Sequence, residues 1–318
     1  MKKYLFVNFC LLITVINIYS QTLEEREKQI ALKNHIKSKT QIDYKYQGGS
    51  PVSKGIISSK TIYSRSGEIL KVEILNSKGV VTGSENYEYD SNNNRTLYER
   101  IGANGTYKKI SAFDEKNNLL HESGYNGAEN FRNNFSYANS NQLQEAVYYI
   151  NDAVQQKLVY KNSGNTTTVE TYMGGLTLTS KIKLVYDSKG NLIEETTCNI
   201  KGSELEKKVY KYNTSGQLIE ETKTQKGNFF YRNTYAYDTR GNLLKIYEET
   251  LSKSKYEKKV YTYDAPGNLT EYKWRRNPDE EFNIKTYTYD SKGICLTEHT
   301  LYPGTKFELL SKYEYEFY

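Results

Sequence analysis

Apolar and polar residues alternate along most of the chain after residue 60, so that every second side chain suits the same face of a sheet. The alternation is regular at 209–212 (Val-Tyr-Lys-Tyr), 260–263 (Val-Tyr-Thr-Tyr) and 286–289 (Thr-Tyr-Thr-Tyr). A period of two is typical of β-strands. Turn signals such as Gln225-Lys226-Gly227 recur between these segments, and the pattern therefore predicts hairpins with strands of about nine residues.

One aromatic position recurs every 23 to 26 residues, which indicates a single supersecondary unit copied along the chain. In ten units the residue four positions later is Gly or Asn, which tolerate a left-handed backbone. Asp often follows the aromatic and can accept hydrogen bonds from the backbone two residues on, so we expect a type I turn closed by a bulge. The aromatic positions are Tyr63, Tyr89, Phe113, Tyr137, Tyr160, Tyr186, Tyr212, Tyr237, Tyr263, Tyr289 and Tyr315.

The first 60 residues lack the repeat. Residues 1–20 combine a basic start with an apolar run and a small residue before Gln21, which is typical of a cleaved signal peptide, with an uncleaved anchor as the alternative. Thr22 and Glu25 form a capping box that predicts a helix over 26–36, followed by a strand around Tyr44. We therefore interpret 21–60 as an N-terminal cap segment and 61–318 as an array of about ten units.

About twenty strands are too many for one flat sheet. The expected fold is all-β, a repetitive antiparallel hairpin array that forms a coiled or spiral sheet, with a short N-terminal helix. The last strand, around 313–318, is expected either to close the sheet or to remain an edge that pairs with another protein.

The amino-acid composition gives little support to several classes of function. Only 37% of the 318 residues are apolar, while 32 are Tyr, and the formal net charge of +6 would fall to +4 after loss of Lys2 and Lys3. This mild charge gives no reason to propose a nucleic-acid partner. Cleavage at residue 20 would leave no membrane span. Three His and three Cys offer little material for a metal site, and no cofactor motif is present.

The segments 186–192 (Tyr-Asp-Ser-Lys-Gly-Asn-Leu), 237–243 (Tyr-Asp-Thr-Arg-Gly-Asn-Leu) and 263–269 (Tyr-Asp-Ala-Pro-Gly-Asn-Leu) resemble the YD repeat of the Rhs family. The resemblance implies an antiparallel sheet wound into a spiral or cocoon-like shell, which larger members use to hold a toxin. Carbohydrate binding is attributed to some YD-repeat proteins. With about ten units, this chain is expected to be a small exported bacterial member without a toxin domain.

The most individual stretch is Tyr272-Lys273-Trp274-Arg275-Arg276, which contains the only Trp. Tyr272 and Trp274 share a face, and with Arg275 and Arg276 they form the candidate ligand site. The alternative is that Trp274 is a packing residue near a hairpin end. Cys198 and Cys295 lie about eight strands apart, roughly 40 Å in an unrolled sheet at ~4.8 Å per strand, so free thiols are expected.

Three functions are compatible with these features. The first is a non-catalytic binding module for a glycan or surface polymer, in the periplasm, at the cell surface or outside the cell. The second is a structural or toxin-related component that binds a protein through its edge strand. An enzyme is the least favoured, because adjacent carboxylates such as Glu194 and Glu195 point to opposite faces of a strand.

Overall fold

The computed structural model describes residues 23–47, 49–52 and 54–318. The signal peptide predicted at 1–20 and the capping residue Thr22 lie outside these residues. The described chain is all-β apart from two short helical segments. Its elements are α1 (Leu23–Lys33), β1 (Ile36–Gln47), β2 (Ser50–Pro51), β3 (Ile56–Tyr63), β4 (Ile69–Leu75), β5 (Val81–Tyr89), β6 (Arg95–Gly102), β7 (Gly105–Phe113), β8 (Leu119–Asn126), β9 (Glu129–Tyr137), β10 (Leu143–Ile150), β11 (Ala153–Ser163), β12 (Thr166–Met173), β13 (Thr177–Tyr186), β14 (Leu192–Cys198), β15 (Glu204–Tyr212), β16 (Leu218–Gln225), β17 (Asn228–Tyr237), β18 (Leu243–Glu249), β19 (Lys255–Tyr263), β20 (Leu269–Trp274), β21 (Asn283–Tyr289), β22 (Cys295–Tyr302), a 3-10 turn (Pro303–Thr305) and β23 (Phe307–Phe317).

Strand β1 closes the sheet. It pairs antiparallel with β3 on one side and with β23 on the other, while β3 to β23 pair with their neighbours in chain order. The result is a closed barrel of 22 strands, to which β2 adds a short hairpin on β1.

The expectation of an open coiled or spiral sheet is therefore wrong, although the all-β class, the antiparallel hairpins and the short helix are confirmed. Of the two alternatives for the last strand, closure of the sheet is confirmed and an open edge is wrong, because β23 pairs with β1 from Lys45↔Leu309 to Ile36↔Phe317. The physical reason is that β1, in the segment interpreted as a cap, satisfies the backbone groups of both end strands.

The repeat turns have the predicted chemistry. In one of them the Asp90 carboxylate accepts the backbone N–H of Asn92 and of Asn94, each at 2.9 Å, and the side-chain amide of Asn94. Asn93 has a φ of 63°. The same Asp–Asn arrangement recurs at Asp114, Asp187, Asp238 and Asp264. We call the end of the barrel that carries these turns the tip rim, and the opposite end the far rim.

Tyrosine hydroxyls link neighbouring units at the tip rim. Between β16 and β17 the pairing stops at Glu220↔Thr234, and the hydroxyl of Tyr237 donates to the carbonyl of Leu218, two residues beyond, at 2.7 Å. Each such hydroxyl satisfies a carbonyl that the strand pairing leaves without a donor. This tyrosine ladder consists of Tyr89–Ile69, Tyr137–Leu119, Tyr212–Leu192, Tyr237–Leu218, Tyr263–Leu243, Tyr289–Leu269 and Tyr315–Cys295.

Four of the eleven repeat positions depart from the ladder. The Tyr63 hydroxyl donates to Glu27 instead of a carbonyl, and Tyr186 lies where β12 and β13 are still paired. In β7, Phe113 occupies the ladder position but has no hydroxyl to offer the carbonyl of Arg95.

Each ladder tyrosine lies three residues after the last residue of its strand that pairs with the preceding strand. In β11 that last paired residue is Val159, so the ladder position is Asn162 rather than Tyr160. The assignment of Tyr160 to the repeat position is therefore wrong, because the equivalent residue is Asn162, two positions later.

Helix α1 lies against the concave face of the sheet. Glu24 forms an ion pair with Arg95 on β6, and Arg26 interacts electrostatically with Tyr263 on β19. Going around the sheet, β6 lies four strands from β1 in one direction and β19 five strands from it in the other, about 43 Å of sheet at ~4.8 Å per strand. Glu24 and Arg26 lie two positions apart on one short helix, and they can interact with both strands only from inside the barrel. The face that carries the ladder tyrosines is therefore the inner face.

The helix packs at the tip rim. Ala31, Ile36, Tyr63 and Ile294 form a buried cluster there, and the Tyr63 hydroxyl donates to Glu27 of the helix. The helix was predicted at 26–36 but spans Leu23–Lys33, and it ends before His35, whose φ is 53°.

A matched pair of substitutions tests the ladder. Tyr237→Phe leaves the Leu218 carbonyl without its donor and should lower the free energy of unfolding by about 1–2 kcal/mol. Phe113→Tyr supplies the missing donor and should raise it by about 0.5–1 kcal/mol. Urea denaturation measures both, and no change in either variant would contradict the role given to the hydroxyls.

Alkaline titration tests the ladder as a whole. Burial raises the pKa of Tyr89 to about 12, and burial also raises the pKa of Tyr212, Tyr237 and Tyr263. An unfolded Tyr ionises near pH ~10. The stabilisation is therefore fully present below about pH 10 and is lost as the pH rises from there through the folded pKa values.

Tyrosinate absorbance and far-ultraviolet circular dichroism should consequently change together during this titration. Ionisation of most tyrosines near pH ~10 with the sheet signal intact would contradict the ladder.

Candidate functional site

The inner face carries mainly polar and aromatic side chains rather than aliphatic ones. Glu221, opposite Tyr210 in the β15–β16 pair, accepts hydrogen bonds from the hydroxyls of Tyr231 and Tyr235. Lys208 contacts Glu195 at 3.6 Å on the same face. Such a surface offers ring faces, hydroxyls and charges to a polar ligand.

The predicted site residues Tyr272 and Trp274 do share a face, and their rings stack at 4.8 Å between centroids. Tyr261 stacks on the other side of Tyr272 at 5.0 Å, and Tyr302 meets Trp274 edge-on at 5.7 Å. Phe307 extends the series at the far rim. We call these five residues the aromatic strip. Tyr261, Tyr272 and Trp274 form a stack, and the contacts of Tyr302 with Trp274 and Phe307 are edge-on and tilted. Packing therefore accounts for a large part of the ring surface.

The two arginines do not join the strip in one ligand site. The Arg275 guanidinium donates to the carbonyls of Glu257 and Pro278, each at 2.8 Å, and lies over the Phe282 ring. It therefore holds the far-rim loop 275–282 together. Arg276 is exposed, and its backbone N–H donates to Glu280.

A second surface, which the sequence did not reveal, lies at the tip rim. Counted from Tyr63, the fourth, fifth and sixth units contain Tyr137, Tyr160 and Tyr186. The surface is an open groove of about 570 Å³ between units four and six, within the ~300–1,000 Å³ typical of ligand sites. Amide and hydroxyl side chains line it beside two tyrosine rings. The lining includes Gln142, Tyr160, Asn162, Asn165, Thr167 and Tyr186.

The groove exists because unit five breaks the repeat. Strands β11 and β12 pair up to Ser163↔Thr166, so a two-residue turn of Gly164 and Asn165 replaces the usual tip. Gly164 has a φ of 58°, a conformation that a residue without a Cβ adopts readily. The small Asn162 occupies the ladder position, and the space that a tyrosine ring fills in other units is left open.

Hydrogen bonds orient the groove amides. The Asn162 side chain donates to Gln142 Oε1 at 3.2 Å and accepts from the Thr167 hydroxyl at 2.7 Å. The Asn165 amide donates to the carbonyl of Tyr186 at 3.0 Å. The pairing of β12 with β13 continues to the end of β13, where the backbone N–H of Tyr186 donates to the carbonyl of Asn165. The Tyr186 hydroxyl therefore has no unpaired strand carbonyl to bind, and Tyr186 lines the groove.

The remaining chemical candidates lie apart from both surfaces. Cys198 and Cys295 are free thiols, as expected, and burial raises the pKa of Cys295 to about 11. His299 stacks on Tyr46 at 5.0 Å and contacts Glu308. Glu194 and Glu195 pair with Lys207 and Lys208 respectively. Among the described residues, no three His, Cys, Asp or Glu side chains converge as metal ligands.

Comparison with known proteins leaves the family open. No family model matches the chain, and no curated protein matches it. Within the described residues, no helix is long and apolar enough to cross a membrane.

Several solved structures resemble parts of the fold. A porin-like protein from Bacteroides uniformis is 12% identical over 88% of this chain and 98% of its own, with a TM-score of 0.33. A porin-like protein from Bacteroides vulgatus is 10% identical over 89% and 99%, with a TM-score of 0.26. The Photorhabdus luminescens Tc holotoxin pore is 14% identical over 83% of this chain, which spans 18% of that chain, with a TM-score of 0.24. Scores this low support no inference about function.

Substitution of the two arginines tests their different roles. Arg275→Gln removes donors to two carbonyls and the contact with Phe282, so the 275–282 loop should be cut faster in limited proteolysis. Arg276→Gln is the matched control and should be cut at the native rate, because that side chain is exposed. Equal cleavage rates for the two variants would contradict the role assigned to Arg275.

Proposed function

We propose that this chain is an exported, non-catalytic YD-repeat protein that binds a glycan in the tip-rim groove, in the periplasm, at the cell surface or outside the cell. Support for export comes from the predicted signal peptide, and support for the family from the repeated Tyr-Asp-x-x-Gly-Asn-Leu segments. The observation that carries the binding function is the groove itself. It opens where unit five departs from the repeat.

The groove has the chemistry that a sugar requires. Its side-chain amides at Gln142, Asn162 and Asn165 both donate and accept hydrogen bonds, as sugar hydroxyls do. The rings of Tyr160 and Tyr186 supply apolar surface beside these groups. A few oriented polar groups beside aromatic surface are the usual composition of a small-ligand site.

Filling the groove should abolish binding without unfolding the chain. Asn162→Tyr places a ring at the ladder position, where its hydroxyl is positioned to reach the Leu143 carbonyl. We expect glycan binding to fall at least about tenfold, a loss of about 1.4 kcal/mol, with an unchanged or higher melting temperature. Glycan-array binding followed by calorimetry on the best neutral oligosaccharide measures this.

Asn228→Tyr, at an exposed far-rim position, is the matched control and should bind as the native chain does. Trp274→Ala and Tyr272→Ala distinguish the two surfaces, since a neutral glycan held in the groove should tolerate both. Loss of binding in these variants but not in Asn162→Tyr would move the site to the aromatic strip. Absence of binding over a broad glycan panel would contradict the proposal.

A further inference from the structure

Lys259 is an inner-face lysine in the middle of the aromatic strip. It lies directly opposite Trp274 across the β19–β20 pair and two residues before Tyr261 on the same strand. On its other side it is opposite Ile246. Its long side chain therefore projects inward between aromatic and aliphatic neighbours.

Five other lysines of the inner face have a carboxylate partner. The alternation and register place them on the face of the ladder tyrosines, each within ion-pair distance of a Glu. They are Lys39 with Glu27, Lys109 with Glu122, Lys208 with Glu195, Lys223 with Glu206 and Lys285 with Glu298.

Within the described part of the chain, no carboxylate lies within 4.0 Å of the Lys259 ammonium group. Glu248, on the adjoining strand β18, is already bound by Lys258 and by the Tyr256 hydroxyl, the latter at 2.8 Å. Burial, together with the neighbouring Lys258 charge, lowers the pKa of Lys259. A partly desolvated cation without a counter-charge is destabilising unless an anion joins it.

We propose that Lys259 and the aromatic strip form a subsite for the carboxylate of an acidic sugar. The ammonium group supplies the counter-charge, and the exposed parts of the Tyr261, Tyr272 and Trp274 rings supply apolar contact for the sugar ring. This inference rests on the proposed glycan-binding function and adds a ligand class and a second contact region to it.

The test compares a tetrasaccharide of galacturonic acid with its methyl ester, which keeps the sugar and removes the charge. The native chain should bind the acid about tenfold more tightly than the ester. Lys259→Met should remove this preference while leaving the melting temperature unchanged or raised, because the unpaired charge is gone. Lys273→Met, on the outer face of β20 and paired with Glu271, is the control and should keep the preference.

The outcomes separate the two proposals. If the native chain binds acid and ester equally, or if Lys259→Met keeps the preference, the acidic subsite is wrong while glycan binding stands. If neither saccharide binds and the wider panel is also negative, both proposals fail. A lower melting temperature for Lys259→Met would indicate a packing role and would also count against the subsite.

Discussion

The whole architecture depends on one strand that pairs on both sides. β1 hydrogen-bonds with β3 and with β23, so residues near the start and end of the described chain share one sheet. Without this pairing the repeat would end in two open edges, and helix α1 would have no concave face to pack against. Closure therefore defines the inner face, and with it the direction in which the groove and the aromatic strip point.

Within the closed sheet, polar contacts supply much of the stabilisation that a buried apolar core supplies in other proteins. Among the residues that the structure describes, only a small set of apolar side chains is fully buried, including Leu158 and Val169. The tyrosine ladder instead supplies a ring and a hydroxyl in seven units, so one residue type contributes both packing and backbone satisfaction. This explains how a chain with 37% apolar residues and 32 Tyr forms an extended ordered sheet.

Local features were predictable from the sequence because their causes are local. The turn at Asp90 needs only an Asp, an Asn and a left-handed residue in fixed order, and the structure confirms it. The shared face of Tyr272 and Trp274 follows equally from the alternation. Closure was not predictable, because the β1–β23 register joins residues about 270 positions apart and has no local signal.

The groove was missed for a related reason. Positions 160 and 162 both fit the spacing of the repeat, and Tyr160 is the aromatic residue of the two. Only the β10–β11 register shows that Asn162 lies at the ladder position. The residue after the aromatic gives no signal of the different turn, because unit five has Lys161 there but Ala138 and Asn213 also replace Asp in units with the usual tip.

The pairing of β1 with β23 can be measured directly with a disulfide. Thr40 and Glu314 are opposite one another in that pair, within the ~4.5–5.5 Å that separates facing residues and inside the ~7 Å limit for a disulfide. In a chain starting at Gln21 with Cys198 and Cys295 replaced by serine, Thr40→Cys with Glu314→Cys should form an intramolecular disulfide under mild oxidation. Thr40→Cys with Glu220→Cys is the distant control. A closed sheet predicts rapid intramolecular bonding in the first pair alone; two persistent free thiols, or bonding only between chains, would contradict closure.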